Sequence, residues 1–232
     1  MKKQNLQNWP EPERPRERMY SFGTTALSDS ELLAILLNTG NKLENAVDLA
    51  RTLMKDLGSL RRVLATDFKS LSEYNGIGKA KYARLHVVGE IITRVLKAEL
   101  HFQDGIGANR STKSYLRHLY GGLSSEIFAI AFLNARRQII DVEEIFQGSI
   151  DQITVYPREI ARIALEKAAR ELIIVHNHPS GKADPSRDDI SMTHRLAQIL
   201  SPLSIDVVDH LIISKNECYS FLENGLLSQS SI

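Results

Sequence analysis

The 232-residue chain has one cysteine, Cys218, which excludes an internal disulfide and any cysteine-rich zinc cluster. It has no apolar stretch of the roughly 18 residues needed to cross a bilayer. No apolar run follows Met1-Lys2-Lys3, so no secretory signal is expected. It has no excess of one charge: 29 Lys and Arg face 28 Asp and Glu, for a net +1, which excludes a strongly basic nucleic-acid coat and an acidic disordered tail. Aromatic residues make up 6%, against 43% hydrophobic and 25% charged overall, which is ordinary globular composition. These absences predict a soluble protein of a reducing compartment, the cytoplasm, with no membrane partner.

What is present changes character near residue 100. From Leu27 to Leu100 the spacing is helical. Ser28 with Glu31 makes a capping-box start to Leu32-Leu33-Ala34-Ile35-Leu36-Leu37, and Asn38-Thr39-Gly40-Asn41 stops it. Further helices are expected from about Asn45 to Leu57 before Gly58, over Leu60 to Ala65, from Phe68 to before Gly76, and over Lys79 to Leu100. The Pro-punctuated stretch Trp9 to Arg16 is expected to be non-helical, with Trp9 as an anchor. Residues 101–110, with Asp104, Gly105, Gly107 and Asn109 and little apolar material, read as a linker.

After the linker, Ile127 to Leu133, Ile139 to Ile145, Leu172 to Val175 and Ile205 to Ile213 read as strands, while Arg158 to Arg170 and Asp188 to Leu200 read as helices. The domains are therefore 1–100, all helical, and 111–232, mixed α/β. Charge divides mildly between residues 1–100, at +4, and the remainder, at −3.

The chemistry concentrates in Val175-His176-Asn177-His178-Pro179-Ser180-Gly181, followed by Asp184-Pro185-Ser186-Arg187-Asp188-Asp189. Two residues apart in an extended chain point to the same side, so two imidazoles can converge on one cation. Pro179, Ser180 and Gly181 turn the chain, and a carboxylate in the first turn of the next helix can swing back. Two nitrogens and one oxygen leave a fourth tetrahedral position of Zn²⁺ open, as in catalytic sites. The plain alternative for Ser186-x-x-Asp189 is a capping box, which competes for the same carboxylate oxygens. Asp184 is also within reach, and Asp188 points away if Asp189 points inward. Other His-x-His architectures do not fit. Ser180 and Gly181 stand where a metallo-β-lactamase-type site needs an acid and a histidine, and a barrel amidohydrolase needs roughly 250 residues. A zinc nucleoside deaminase needs two closely spaced cysteines.

The spacing His176-x-His178-Pro179-x6-Ser186-x2-Asp189 resembles the JAMM motif of MPN-domain metalloproteases. With Arg14-Pro15-Arg16-Glu17-Arg18, Leu27 to Leu37, Gly76-Ile77-Gly78-Lys79-Ala80-Lys81, Gly148-Ser149-Ile150-Asp151, Pro157-Arg158-Glu159-Ile160 and Asp209-His210, nearly the whole chain resembles the bacterial RadC family. The resemblance implies an α+β two-domain fold: an all-α helix-hairpin-helix domain, then a mixed α/β JAMM/MPN (deaminase-like) domain. It implies one Zn²⁺ per chain held by His176, His178 and Asp189, with Glu126 as general acid/base and Ser186 as oxyanion donor. Glu143 and Glu144 are rival carboxylates that the residues alone do not exclude. Asp209 and His210 are expected to support a ligand by hydrogen bonding. Leu71 to Lys81 resembles a helix-hairpin-helix, in which Gly76, Gly78, Lys79 and Lys81, with Arg84 nearby, would meet DNA phosphates. The implied activity is a zinc-dependent peptidase acting on an unidentified protein or peptide. The alternative is a DNA-binding accessory protein of repair or recombination whose metal site is structural or vestigial.

Overall fold

The computed structural model describes residues 6–100, 110–148, 156–179, 181–215 and 217–227. Two compact units divide between Ile92 and Thr93. In the first, α1 (Pro15–Phe22), α2 (Asp29–Leu37), α3 (Ala46–Leu57), α4 (Leu60–Ala65), α5 (Phe68–Ser72) and the first part of α6 (Lys79–Leu100) surround one core. Leu33, Leu37, Leu49, Leu53, Val63, Leu71 and Leu85 are among its fully buried side chains, with Trp9 partly buried against them.

Caps fix these helices in register. Ser28 Oγ accepts from the Glu31 N–H, and the Glu31 carboxylate accepts from the Ser28 N–H at 2.9 Å. The Asn45 side chain accepts from Val47 and Asp48, and Gly58 ends α3 in the left-handed region. A box or cap of this kind contributes about 1 kcal/mol.

One expectation is corrected. The Pro-punctuated segment is not free of helix, because α1 begins at Pro15. Proline at the first helical position lacks only a donor that would be unpaired there, and its φ is already helical.

The second unit is a five-stranded mixed sheet between helices. Its strands are β1 (Ile127–Leu133), β2 (Ile139–Gln147), β3 (Glu171–Asn177), β4 (Asp206–Ile213) and β5 (Cys218–Ser220), in the order β2-β1-β3-β4-β5. Among the described residues only β3 and β4 pair in parallel. β1 and β3 are buried along their whole length, which is why β1 and the Leu172 to Val175 part of β3 read as apolar runs.

Phe128, Ile130, Phe132, Leu172 and Ile174 fill the face beneath α8 (Pro157–Glu166) and α9 (Arg187–Leu200). Ile127, Ala129, Leu133, Ile173 and Val175 fill the other, with Tyr115, Leu116 and Tyr120 of α7 (Arg110–Tyr120). Leu96 and Leu100 pack in that second cluster, so the unit boundary falls inside α6 rather than at its end. α7 and β5 have no counterpart in the sequence reading. Of the linker, residues 101–109 lie outside the described residues, as do Ser149, Ile150, Asp151 and Ser180.

Candidate metal centre

The site grows from the register of two strands. β1 and β3 run antiparallel with Phe128 opposite His176. The segment preceding β1 therefore lies beside the end of β3, and Glu126 comes next to the two histidines. His176 shares the parity of Leu172 and Ile174, so its ring faces α9. The sheet register ends at Asn177 opposite Ile213; the next N–H, of His178, donates to Ile213 at 2.8 Å as the chain turns out. Gly181, at φ +101°, closes that turn with its N–H on the His178 carbonyl.

Asp189 enters from the opposite layer. It is the third residue of α9 and only 1% exposed. The competition between capping and ligation is resolved by dividing the two oxygens. Oδ2 accepts from the Ser186 N–H at 2.8 Å and the Ser186 hydroxyl at 2.7 Å, while Oδ1 lies 3.0 Å from His176 Nδ1. Burial pushes the Asp189 carboxyl up, but His176 and both Ser186 donors outweigh it and hold the group well below the usual carboxylate range.

The other nitrogen of His176, Nε2, is 2.9 Å from Glu126 Oε1. A neutral imidazole has one proton to give, yet this 2%-exposed ring faces two carboxylates, so a cation at the spot suits it. His178 Nδ1 is 3.1 Å from the Lys182 carbonyl, which can only accept. That leaves the lone pair on His178 Nε2, 3.8 Å from Asp189 Oδ2. The 3.0 Å contact is to Asp189 Oδ1 and the 3.8 Å contact to Oδ2, so His176 and His178 approach different oxygens of the one carboxylate. Two donor groups share His176, each with ligand atoms within 4.8 Å of one another: Glu126, His176 and His178, and His176, Asp189 and His210. In chemistry these donors, imidazole nitrogens and carboxylate oxygens, fit a zinc ion.

Glu143 is opposite Ile130 and pairs with Lys167 at 2.6 Å, and Glu144 is exposed opposite Ala129, so neither competes with Glu126. Asp184 and Asp188 are exposed. The single proton of the Ser186 hydroxyl is committed to Asp189.

Asp209 does not support a ligand, which corrects the expectation. Neighbouring strand residues face opposite ways. Asp209 instead accepts from the His210 and Leu222 N–H groups and from the Ser220 hydroxyl. His210 is fully buried and meets Thr193 of α9 rather than a ligand side chain, with 2.7 Å between its Nδ1 and Thr193 Oγ1. Burial lowers its pKa to about 3.

The sequence reading missed two residues. Thr193 donates to the Asp189 carbonyl at 2.6 Å. Asn177, the spacer between the histidines, accepts from the Ile127 N–H at 2.6 Å and donates to the Ser125 carbonyl at 3.0 Å. Neither residue carries a signal of its own. Both look like ordinary polar residues in buried elements.

In the helical unit, Gly76 turns at φ +94° with Asn75 held by Asn41 at 2.7 Å. Gly78, Lys79 and Arg84 are exposed, whereas the Lys81 ammonium donates to the Gly40 carbonyl at 2.8 Å. Among the described residues no helix is long and apolar enough to cross a membrane.

A family model for a RadC-like JAB domain matches residues 106–226, and one for the UPF0758 N-terminal domain matches residues 6–83. A UPF0758 protein of Nitrosomonas eutropha is 45% identical over 222 residues, covering 96% of this chain and 99% of its own length. UPF0758 proteins of Chromobacterium violaceum and Neisseria gonorrhoeae are each 41% identical over 223 residues, or 96% of this chain, and are covered over 100% and 99% of their lengths.

Proposed function

Since this chain belongs to the RadC family, with a RadC-like JAB domain behind a UPF0758 N-terminal domain, we propose that it is a zinc-dependent hydrolase of the JAMM metallopeptidase type, acting on an amide or isopeptide bond. The observation that supports this reading is the gathering of His178, Asp189 and Glu126 around the buried His176 ring, with Asp189 on one ring nitrogen and Glu126 on the other. His176, His178 and Asp189 would hold one Zn²⁺ per chain. Bound there, zinc supplies Lewis acidity, bringing the pKa of a water towards roughly 7.

The chain's own side chains do the rest. Glu126, which faces His176 Nε2 in this structure, would take a proton from the attacking water and return it to the leaving amine nitrogen. Ser186 first positions Asp189. To donate to a developing oxyanion, its hydroxyl must leave Asp189 Oδ2, which keeps the Ser186 backbone N–H. Before metal binds, the buried Asp189 holds His176 in place through a contact that zinc would replace.

The test is cleavage of a library containing both peptide and isopeptide bonds by the zinc-loaded protein. Glu126→Gln should retain zinc and lose about 100-fold or more of the rate, since general acid–base catalysis contributes roughly 10²–10⁴-fold. Cleavage by Glu126→Gln at the wild-type rate overturns the assignment.

A second reading, a DNA-binding accessory role in repair or recombination, is favoured by the Gly76 turn and the exposed Lys79 and Arg84 beside it. Lys81 adds little there while its ammonium is bonded within the unit. If Lys79→Glu with Lys81→Glu abolishes DNA binding while Glu126→Gln changes no activity, this second reading replaces the first.

A further inference from the structure

We propose that Asn177 is the positioning residue for Glu126. It fixes the backbone on both sides of that residue so that the carboxylate is delivered to His176. The significance for catalysis rests on the hydrolase reading; the geometry does not.

Asn177 is 2% exposed at the last position of β3. Its Oδ1 accepts from the Ile127 N–H at 2.6 Å, and its Nδ2 donates to the Ser125 carbonyl at 3.0 Å. These two groups belong to the peptide planes before and after the Glu126 Cα. The second plane is held again from the other neighbouring strand, where the Gly148 N–H donates to the Glu126 carbonyl at 2.9 Å. With both flanking planes fixed, φ and ψ of Glu126 are fixed, and so is the direction of its side chain. The carboxylate then lies 2.9 Å from His176 Nε2.

Asparagine suits the position because a single rigid amide offers one acceptor and one donor. Aspartate lacks the donor, and serine has a single proton and less reach. β3 leaves the sheet at this point, since the next N–H, of His178, turns to Ile213 on β4. The Asn177 side chain therefore supplies the β1 contact that the backbone of β3 no longer makes. The same strand carries the imidazole and, one residue later, the clamp that aims a carboxylate at it.

The test uses metal-free full-length protein with ¹⁵N-labelled histidine, so it does not depend on whether zinc binds or any peptide is cleaved. The reporter is the hydrogen-bonded His176 Nε2–H resonance, identified by its loss in Glu126→Ala. Asn177→Ala touches neither the ring nor the carboxylate. It should nevertheless abolish this resonance or speed its exchange by about fivefold or more, as loss of one net hydrogen bond would. The protection of the Ile130 and Ile174 amides, in the middle of the sheet, should stay as in the wild type. A resonance with wild-type position and exchange in Asn177→Ala overturns the proposal, and so does the absence of any such resonance in the wild type. Should Asn177→Ala fail to fold, Asn177→Asp is read in the same way. It keeps an acceptor for Ile127 but has no donor for Ser125, so it should exchange faster than wild type, and wild-type exchange overturns the proposal. Failure to bind zinc with the resonance behaving as expected would remove the hydrolase reading and leave the clamp.

Discussion

Thr193 offers a sharp test of how the inner side of the site is held. It lies one turn beyond Asp189 in α9 and, like His210, is 0% exposed. Its one hydroxyl proton goes to the Asp189 carbonyl, because a carbonyl can only accept. The hydroxyl oxygen must then accept from His210, which fixes the proton on Nδ1 and leaves Nε2 a bare lone pair with no partner among the described residues. Thr193→Val keeps the shape and removes the acceptor. The His210 Nδ1–H is then buried and unpaired, and moving the proton to Nε2 does not help, since no described residue hydrogen-bonds that nitrogen either. An unsatisfied buried donor costs about 1–3 kcal/mol, so a loss of about 2 kcal/mol is expected for the second unit. Thr193→Ser keeps the hydroxyl and loses one methyl, for about 1 kcal/mol. At an ordinary buried position valine would be the better tolerated of the two. The expected order here is the reverse. Native-state amide exchange at Ile130 and Ile174 in metal-free protein reads the opening free energy of this unit separately from the helical one. Valine at or above wild-type stability, or less damaging than serine, would refute the tautomer and the role given to Thr193.

Two further outcomes follow from the geometry. Burial holds His210 near a pKa of about 3, against roughly 6.5 unfolded, so the unfolded chain binds a proton that the folded one does not. Stability of the second unit is therefore lost as pH falls below about 6.5, by on the order of 3 kcal/mol near pH 4.5, partly offset by Asp209, whose carboxyl burial drives upward. His210→Gln should flatten the dependence measured by urea unfolding, and an unchanged slope would rule out this source. In the helical unit, a Cβ at Gly76 would sit 2.5 Å from Asn41 Cβ at a φ of +94°, whereas one at Gly78 would meet nothing within 4 Å. Gly76→Ala should cost about 1–3 kcal/mol and Gly78→Ala well under 1, followed through the fluorescence of Trp9, and equal effects would contradict the turn described.

The two-unit α+β organisation was legible because its signals are local: a capping box at Ser28, glycine stops, and the apolar runs of β1 and β3 that burial on both faces demands. His176, His178 and Asp189 could be proposed as ligands from spacing, because a strand end and the first turn of the following helix lie close in chain. Glu126 could not be chosen over Glu143 or Glu144 on local grounds, since its place is set by the pairing of Phe128 with His176, partners 48 positions apart, and by Lys167 engaging Glu143. Asn177 stayed hidden because its partners are backbone groups, which leave no mark in a sequence. Asp209-His210 was read as one unit although adjacent strand residues face opposite ways, so at most one of the two could turn to the α9 side. The helix at Pro15 was missed because proline was weighed as a breaker rather than as a first residue.

The most direct test of the central claim is anomalous diffraction at the zinc absorption edge from zinc-soaked crystals of the full chain. The account predicts one peak per chain, about 2.0–2.2 Å from a ring nitrogen of His176, a ring nitrogen of His178 and a carboxylate oxygen of Asp189, and no peak in His176→Ala. No peak among these three side chains, or one that survives His176→Ala unchanged, would contradict it.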